Sequence, residues 1–230
     1  VDLFRGFGYG SSMTLPTLIG LYDSPFVRRV AIAMRLYEMP FEHESWSVFR
    51  HAELIAARNP LRRAPSLVLP SGEVLVDSFA ILDHLDEQVT DAQLLLPRRG
   101  PARRAGLRIS ALAAGVADKA VALVVEREFR EPGTQSVAWV RRCEQQVTET
   151  LLLLERERSQ VATEWWLGDR LSHADIIVAT AYRFLREGQP DLRCDVPVLQ
   201  AHCARCEALP VFQEISLPLV VPPRSGSAVS

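Results

Sequence analysis

The chain has 230 residues, 48% hydrophobic and 23% charged, with a formal net charge of −2, which is ordinary for a globular protein and enough for one large domain or two small ones. A near-neutral charge, with arginines interleaved among glutamates, excludes a nonspecific nucleic-acid surface. Four cysteines, three of them late in the chain, exclude a disulfide framework and make a reducing cytosol the default.

The first residues, VDLFRGFGYGSS, carry no signal-peptide pattern. Met13 is read as the natural start, and residues 1–12 and 217–230 as flexible ends. Leu18 to Tyr22 is a short apolar run, expected to be a buried strand. Asp23-Ser24-Pro25 ends it, and Val27, Val30, Ala31, Met34 and Leu36 follow at helical spacing. Ser24 suits an N-cap and Pro25 the first helical position, where a missing N–H costs nothing. Phe41 to Ser47 reads as a second strand, parallel to the first by a right-handed crossover. His51 to Arg58 is a short helix ended by Asn59-Pro60.

The stretch RAPSLVLPSGEVLVDSFAILDHL, residues 63–85, holds most of the local information. Ser66 to Leu69 and Glu73 to Val76 read as strands around the turn Pro70-Ser71-Gly72. Asp77-Ser78 precedes Phe79, Ile81, Leu82 and Leu85 at helical spacing, so either residue suits the N-cap. Such a junction presents free backbone donors, a hydroxyl and a carboxylate. It can hold the carboxylate of a small zwitterion on the helix terminus and its ammonium on Asp77. The plainer alternative is that Ser78 only caps its helix.

The order β-α-β-α-β-β-α makes residues 15–89 one α/β domain. Residues 90–101 break the pattern and read as a linker anchored by Leu94 to Leu96. Residues 102–216 read as an all-helical domain: long helices over 103–130 and about 137–160, a rigid turn at Trp165 to Gly168, then helices near 173–187, 197–208 and 210–215. A bundle is preferred to a coiled coil because charged residues cover one face of each long helix. Ser172-His173-Ala174-Asp175 has the form of a capping box, with Asp in place of Glu. Cys203-Ala204-Arg205-Cys206 lies mid-helix, not at a helix N-terminus, and has no second ligand pair; metal and redox roles are therefore not expected. No glycine-rich phosphate loop occurs.

In this order and spacing the motifs resemble the cytosolic glutathione transferase family, over about residues 15–216. Ser24 to Val30 resembles the strand–helix junction of its serine-type classes, with a bacterial-like character. Asn59 to Leu67 is similar to the loop with the family's cis-proline, here Pro65, although Arg62-Arg63-Ala64 stands where Gly-Lys-Val is usual. Asp77-Ser78 resembles its acidic–serine pair for the γ-glutamyl group, and Ser172 to Asp175 its folding capping box.

The resemblance implies a thioredoxin-like N-terminal domain and a helical C-terminal one. It implies a cytoplasmic homodimer with glutathione as cosubstrate, a small hydrophobic electrophile as partner, and no metal, nucleic acid or membrane. It implies Ser24 as catalytic, donating a hydrogen bond to the sulfur. Phe26, Arg63, Ala64, Pro65, Asp77 and Ser78 would bind glutathione, the Ala64 backbone pairing with its cysteinyl part. Arg28, Ala111, Asp118, Trp165 and Phe212 would be acceptor-site candidates, and Ser172 and Asp175 a structural cap. Asp118 is more readily read as a partner of Lys119 and nearby arginines.

The chemistry is physically accessible. A thiol with a pKa near about 8.5 must drop about two units, worth about 2.7 kcal/mol. A helix N-terminus contributes up to about 2 kcal/mol when partly buried, and a hydroxyl hydrogen bond to an anion about 1.5–3. Alternative readings are a glutathione-dependent peroxidase, disulfide reductase or isomerase, and a non-catalytic glutathione-binding or structural protein of the same fold. Serine rather than cysteine at position 24 argues against thiol–disulfide exchange.

Overall fold

The computed structural model describes residues 14–131 and 133–219. Of the expected flexible ends, 1–12 and 217–230, all but residues 217–219 lie outside the described residues, as does Met13. An α/β unit comes first: β1 (Thr17–Ile19), α1 (Pro25–Leu36), β2 (Glu42–Glu44), α2 (Ala52–Ala56), β3 (Ser66–Val68), β4 (Val74–Val76) and α3 (Ser78–Glu87). The sheet order is β2-β1-β3-β4, with β1 parallel to β2 and antiparallel to β3, and β3 antiparallel to β4. This is the thioredoxin-like arrangement, with α1 as the crossover between the parallel pair.

The remaining elements are helices: α4 (Pro101–Glu128), α5 (Val137–Ser159), α6 (His173–Gly188), α7 (Pro197–Glu207) and α8 (Pro210–Glu214). They form the all-helical bundle. Every residue of α6 from His173 to Ala181 is buried, as expected for a helix enclosed on all sides. It packs on α4 and α7 and also on α1, so one helix carries the core of the bundle against the α/β unit. Fully buried side chains such as Ile176 and Ile177 each contribute about 1.5–3 kcal/mol.

The strands are shorter than the apolar runs suggested. β1 stops at Ile19 because Gly20, at φ +132°, turns the chain out of the sheet. A Cβ on Gly20 would lie 2.5 Å from Val27 Cγ2 and 2.8 Å from Ala64 Cβ. Only glycine lets the start of α1 and the loop before β3 approach this closely.

Candidate active site

Three chain breaks converge at one end of the sheet: the start of α1, the loop before β3 and the start of α3. Ser24 is the N-cap of α1, with extended backbone, and its Oγ accepts from the Val27 N–H at a long 3.5 Å. Accepting that bond leaves the hydroxyl proton free to donate, beside the Phe26 N–H, which makes no hydrogen bond among the described residues. The residue is half-buried and lines the cleft between the two units.

The Ala64–Pro65 peptide is cis. Among the described residues the Ala64 N–H and C=O make no hydrogen bond, so a backbone edge is open there. Asn59 braces the loop: its Nδ2 donates to the Arg63 carbonyl at 2.9 Å and its Oδ1 accepts from Leu61 N–H at 3.0 Å. Beside this edge lies α3. Its N-cap is Asp77, not Ser78: Asp77 Oδ1 accepts from the Phe79 N–H at 2.8 Å. Asp77 has φ +71°, a conformation uncommon for non-glycine residues. Ser78, the first helical residue, is buried, and its Oγ has no partner among the described residues.

A cavity of ≈ 60 Å³ is lined by Phe26, Arg63, Ala64, Pro65, Asp77 and Ser78 together with Val76 and two residues of the Asn59 loop. The structure thus brings all six expected glutathione-binding residues to one hollow. A larger cavity of ≈ 170 Å³ adjoins it through Phe26, Arg63 and Ala64, and Ser24 opens onto that one. Arg63 reaches across and pairs with Asp118 on α4 at 2.9 Å, both exposed. The Asp118 partner is therefore an arginine of the opposite unit, not Lys119 or a helix neighbour.

The larger cavity is walled by Phe26 and by Val121, Val124 and Val125 of α4, together with apolar groups that the sequence reading did not single out, chiefly Trp46, Phe49, Phe129 and Phe184. Phe49 and Phe129 stack at its mouth with centroids 4.3 Å apart and planes 18° apart. Phe49 and Trp46 sit in a loop with no periodic pattern, and Phe129 follows the last residue of α4. Nothing local in the sequence marks them, because they meet only when the two units pack.

Four acceptor-site candidates fall elsewhere, and the expectation is corrected for each. Arg28 is buried under the bundle: Nη1 and Nη2 donate to Glu207 Oε1 and Oε2 at 2.6 and 2.7 Å, Nε to the Ile215 carbonyl at 2.6 Å and Nη2 to the Phe212 carbonyl at 2.7 Å. Spacing on α1 points it away from Ser24. Phe212 is fully buried beneath that guanidinium. Trp165 is buried against His202 in the turn it shares with Gly168. Ala111 is exposed on α4, more than two turns before the cleft-lining Val121.

Ser172 and Asp175 lie in the bundle interior. The Asp175 carboxylate is fully buried and takes three hydrogen bonds, from the Trp166 N–H at 2.9 Å, the Ser172 N–H at 2.8 Å and the Ser172 hydroxyl, with His202 Nε2 lying 3.1 Å from Oδ1. His202 accepts from Arg158 Nε at Nδ1, which fixes its neutral tautomer with the proton on Nε2. Cys203 and Cys206 are buried beside it, and burial pushes both thiols up. A thiol held protonated is neither a nucleophile nor a metal ligand. Among the described residues no group of His, Cys, Asp and Glu is arranged to hold a metal ion.

A thioredoxin-like unit thus carries a cis-proline edge, an acidic–serine helix start and a serine-capped helix that face an apolar interdomain cleft. Residues 18–93 match the glutathione S-transferase N-terminal domain and residues 137–205 its C-terminal domain. The chain belongs to the glutathione S-transferase family.

An uncharacterized GST-like protein of Escherichia coli, YibF, is 31% identical over 70% of this chain and 74% of its own length. A glutathione S-transferase of Methylobacterium radiotolerans, solved with glutathione sulfonate, is 29% identical with a TM-score of 0.82, covering 92% of this chain and 99% of that one. A glutathione transferase family member of Pseudomonas fluorescens, solved with S-(propanoic acid)-glutathione, is 29% identical with a TM-score of 0.75, covering 90% of this chain and all of that one.

Proposed function

We propose that this chain is a serine-type glutathione S-transferase that conjugates glutathione to small hydrophobic electrophiles. One observation carries the reading: Ser24, the open Ala64 edge and the Asp77–Ser78 pair border two adjoining cavities. The γ-glutamyl group would sit on Asp77 and Ser78, its ammonium on the carboxylate and its carboxylate on the helix start. The cysteinyl backbone would pair with Ala64. That places the sulfur over the N-terminus of α1, where the Ser24 hydroxyl donates to it and lowers its pKa. The thiol proton leaves to solvent, the thiolate forms a sulfur–carbon bond to the electrophile, and the leaving group takes the electron pair.

The acceptor would enter the Phe49–Phe129 side, where the wall is apolar and both rim arginines are engaged, Arg62 with Glu53 and Arg63 with Asp118. That favours uncharged electrophiles. Arg63 retains N–H groups for the glycyl carboxylate. Residues 15–89 are assigned to glutathione, 90–101 to the linker and 102–216 to the acceptor side. A cytoplasmic homodimer completes the reading; no helix among the described residues is long and apolar enough to cross a membrane. The test is calorimetric titration with glutathione, then turnover on aromatic halides, epoxides, hydroperoxides and mixed disulfides. Conjugation of the halides or epoxides supports the transferase. Binding without turnover, or turnover of disulfides alone, contradicts it.

A further inference from the structure

Among the described residues that line the glutathione hollow, Arg63 is the only cation and Asp77 the only anion. Asp77 stands at the start of α3 beside Ser78. Arg63 belongs to the loop before the cis-proline and also lines the larger cavity. Its backbone is braced, since Asn59 Nδ2 donates to its carbonyl at 2.9 Å. Its guanidinium leaves the α/β unit altogether, and Nη2 donates to Asp118 Oδ1 on α4 at 2.9 Å. Arg62, the next cation of the loop, is held by both oxygens of Glu53 at 2.6 and 3.2 Å. Both rim cations are therefore answered by carboxylates of the chain itself.

Glutathione at neutral pH carries two carboxylates and one ammonium. On the reading above, Asp77 takes the ammonium and the α3 N-terminus takes the α-carboxylate. The glycyl carboxylate is left with Arg63, whose charge Asp118 already shares. A carboxylate placed against an ion pair meets a dipole in place of a free charge, because Asp118 repels what the guanidinium attracts. The two side chains are 62% and 52% exposed, so each of these interactions is small and is screened by salt.

We propose that Asp118 is a specificity-determining residue: by occupying Arg63 from across the cleft it makes the site indifferent to charge at the glycyl end. The thiol donors it admits are then γ-glutamylcysteinyl peptides with a neutral C-terminus as well as an anionic one. This inference rests on the glutathione reading and names the substrate class of the same site. Selection for the peptide falls to its γ-glutamyl half, beside the buried Ser78, whose hydroxyl has no partner among the described residues.

The test is calorimetric titration, at low ionic strength, of two probes. One is glutathione; the other is its glycinamide analogue, in which a neutral amide of nearly the same shape replaces the glycyl carboxylate. Each is measured on the parent chain, Asp118→Asn, Arg63→Gln and the double variant. The parent should bind the two probes within about twofold of each other. Asp118→Asn releases the Arg63 guanidinium and should tighten glutathione by about two- to fivefold, the range of an exposed ion pair, with the analogue unchanged. Arg63→Gln leaves Asp118 facing the carboxylate and should weaken glutathione relative to the analogue. The double variant should again bind both probes alike.

Both residues are exposed, so the variants should melt with the parent, and Asp118→Ser serves if the Asn variant does not fold. An Asp118→Asn chain with unchanged glutathione affinity, or with both probes tightened by the same factor, overturns the proposal. So does a parent that prefers glutathione to the analogue by about tenfold or more, beyond what an exposed pair contributes. A parent chain that binds neither probe overturns the glutathione reading itself.

Discussion

The imidazole of His173, at the start of α6, donates its Nε2–H to Asp86 on α3 at 2.9 Å, joining the helical bundle to the α/β unit. The same carboxylate oxygen accepts the Tyr37 hydroxyl, whose oxygen in turn accepts the Leu95 N–H at 3.0 Å. One acidic side chain thus ties α1, α3, α6 and the connecting segment at a buried point. Burial pushes the His173 pKa below its ordinary 6.5, opposed by Asp86 and reinforced by Arg29 and Arg103.

The sign of the pH dependence follows. The unfolded chain takes up a proton near pH 6.5 that the folded chain resists, so stability is full above that value. It falls as pH drops from about 6.5 toward the lower folded pKa, by at most about 1.4 kcal/mol per pH unit. Urea unfolding from pH 5 to 8 on the parent and on His173→Gln measures it. The slope below pH 6.5 should be smaller in the variant; equal slopes would assign the proton uptake to another group.

On the proposed reading, Ser24→Ala removes a hydroxyl donor to the thiolate and only a long cap bond. A hydrogen bond to a charged acceptor is worth about 1.5–3 kcal/mol, so kcat at neutral pH should fall by roughly ten- to a hundredfold. The pKa of bound glutathione, read from thiolate absorbance, should rise, while glutathione affinity changes little. Equal loss in kcat and affinity would make Ser24 a binding residue.

Arg28 holds Glu207 and the carbonyls of Phe212 and Ile215 at the junction of α1 with α7 and α8. Arg28→Met should destabilise by about 1–3 kcal/mol because it leaves the buried Phe212 and Ile215 carbonyls without their donor, while Arg183, 3.5 Å from Glu207, still faces that carboxylate. The double variant with Glu207→Gln should recover part of that loss. Additive losses in denaturant melts would show the pair to be uncoupled.

Asp175 satisfies three donors from Ser172 and Trp166. Its replacement by Ala should cost more than the about 0.5–2 kcal/mol expected of Ser172→Ala at a helix cap. In neither folded variant should KM for glutathione move. A large activity loss at unchanged stability would contradict a purely structural role.

Phe129 and Phe49 stack across the two units beside the larger cavity, the proposed acceptor side. Phe129→Ala should leave glutathione affinity intact and raise KM for an aromatic electrophile several-fold, since an aromatic pair is worth about 0.5–1.5 kcal/mol. An unchanged KM for the electrophile would place its site elsewhere.

The sequence was informative wherever a position's role is set by its immediate neighbours. Ser24-Pro25 fixes a helix start because capping and the proline φ are local. The two short strands around Gly72, Asp77-Ser78 and the 172–175 cap were readable for the same reason, as was the choice of helices after residue 101. Strand lengths were overestimated, because Gly20 leaves the sheet for a close approach to Val27 and Ala64 that no neighbouring residue announces.

What only the tertiary structure decided is which faces meet. Arg28 and Arg29 are adjacent in a helical pattern, and one becomes a saturated strut while the other lies buried over the Phe79 ring, its Nε and Nη1 without a hydrogen-bond partner among the described residues. The difference is one helical step, about 100° of rotation, and it gains meaning only from α7 and α8 on one side and α3 on the other. The acceptor wall is decided in the same way, since Phe49 and Phe129 lie eighty residues apart in the chain and come into contact only through packing of the bundle on the sheet. Local hydrogen bonding and backbone preference are written residue by residue, whereas desolvation and long-range contact belong to the assembled fold.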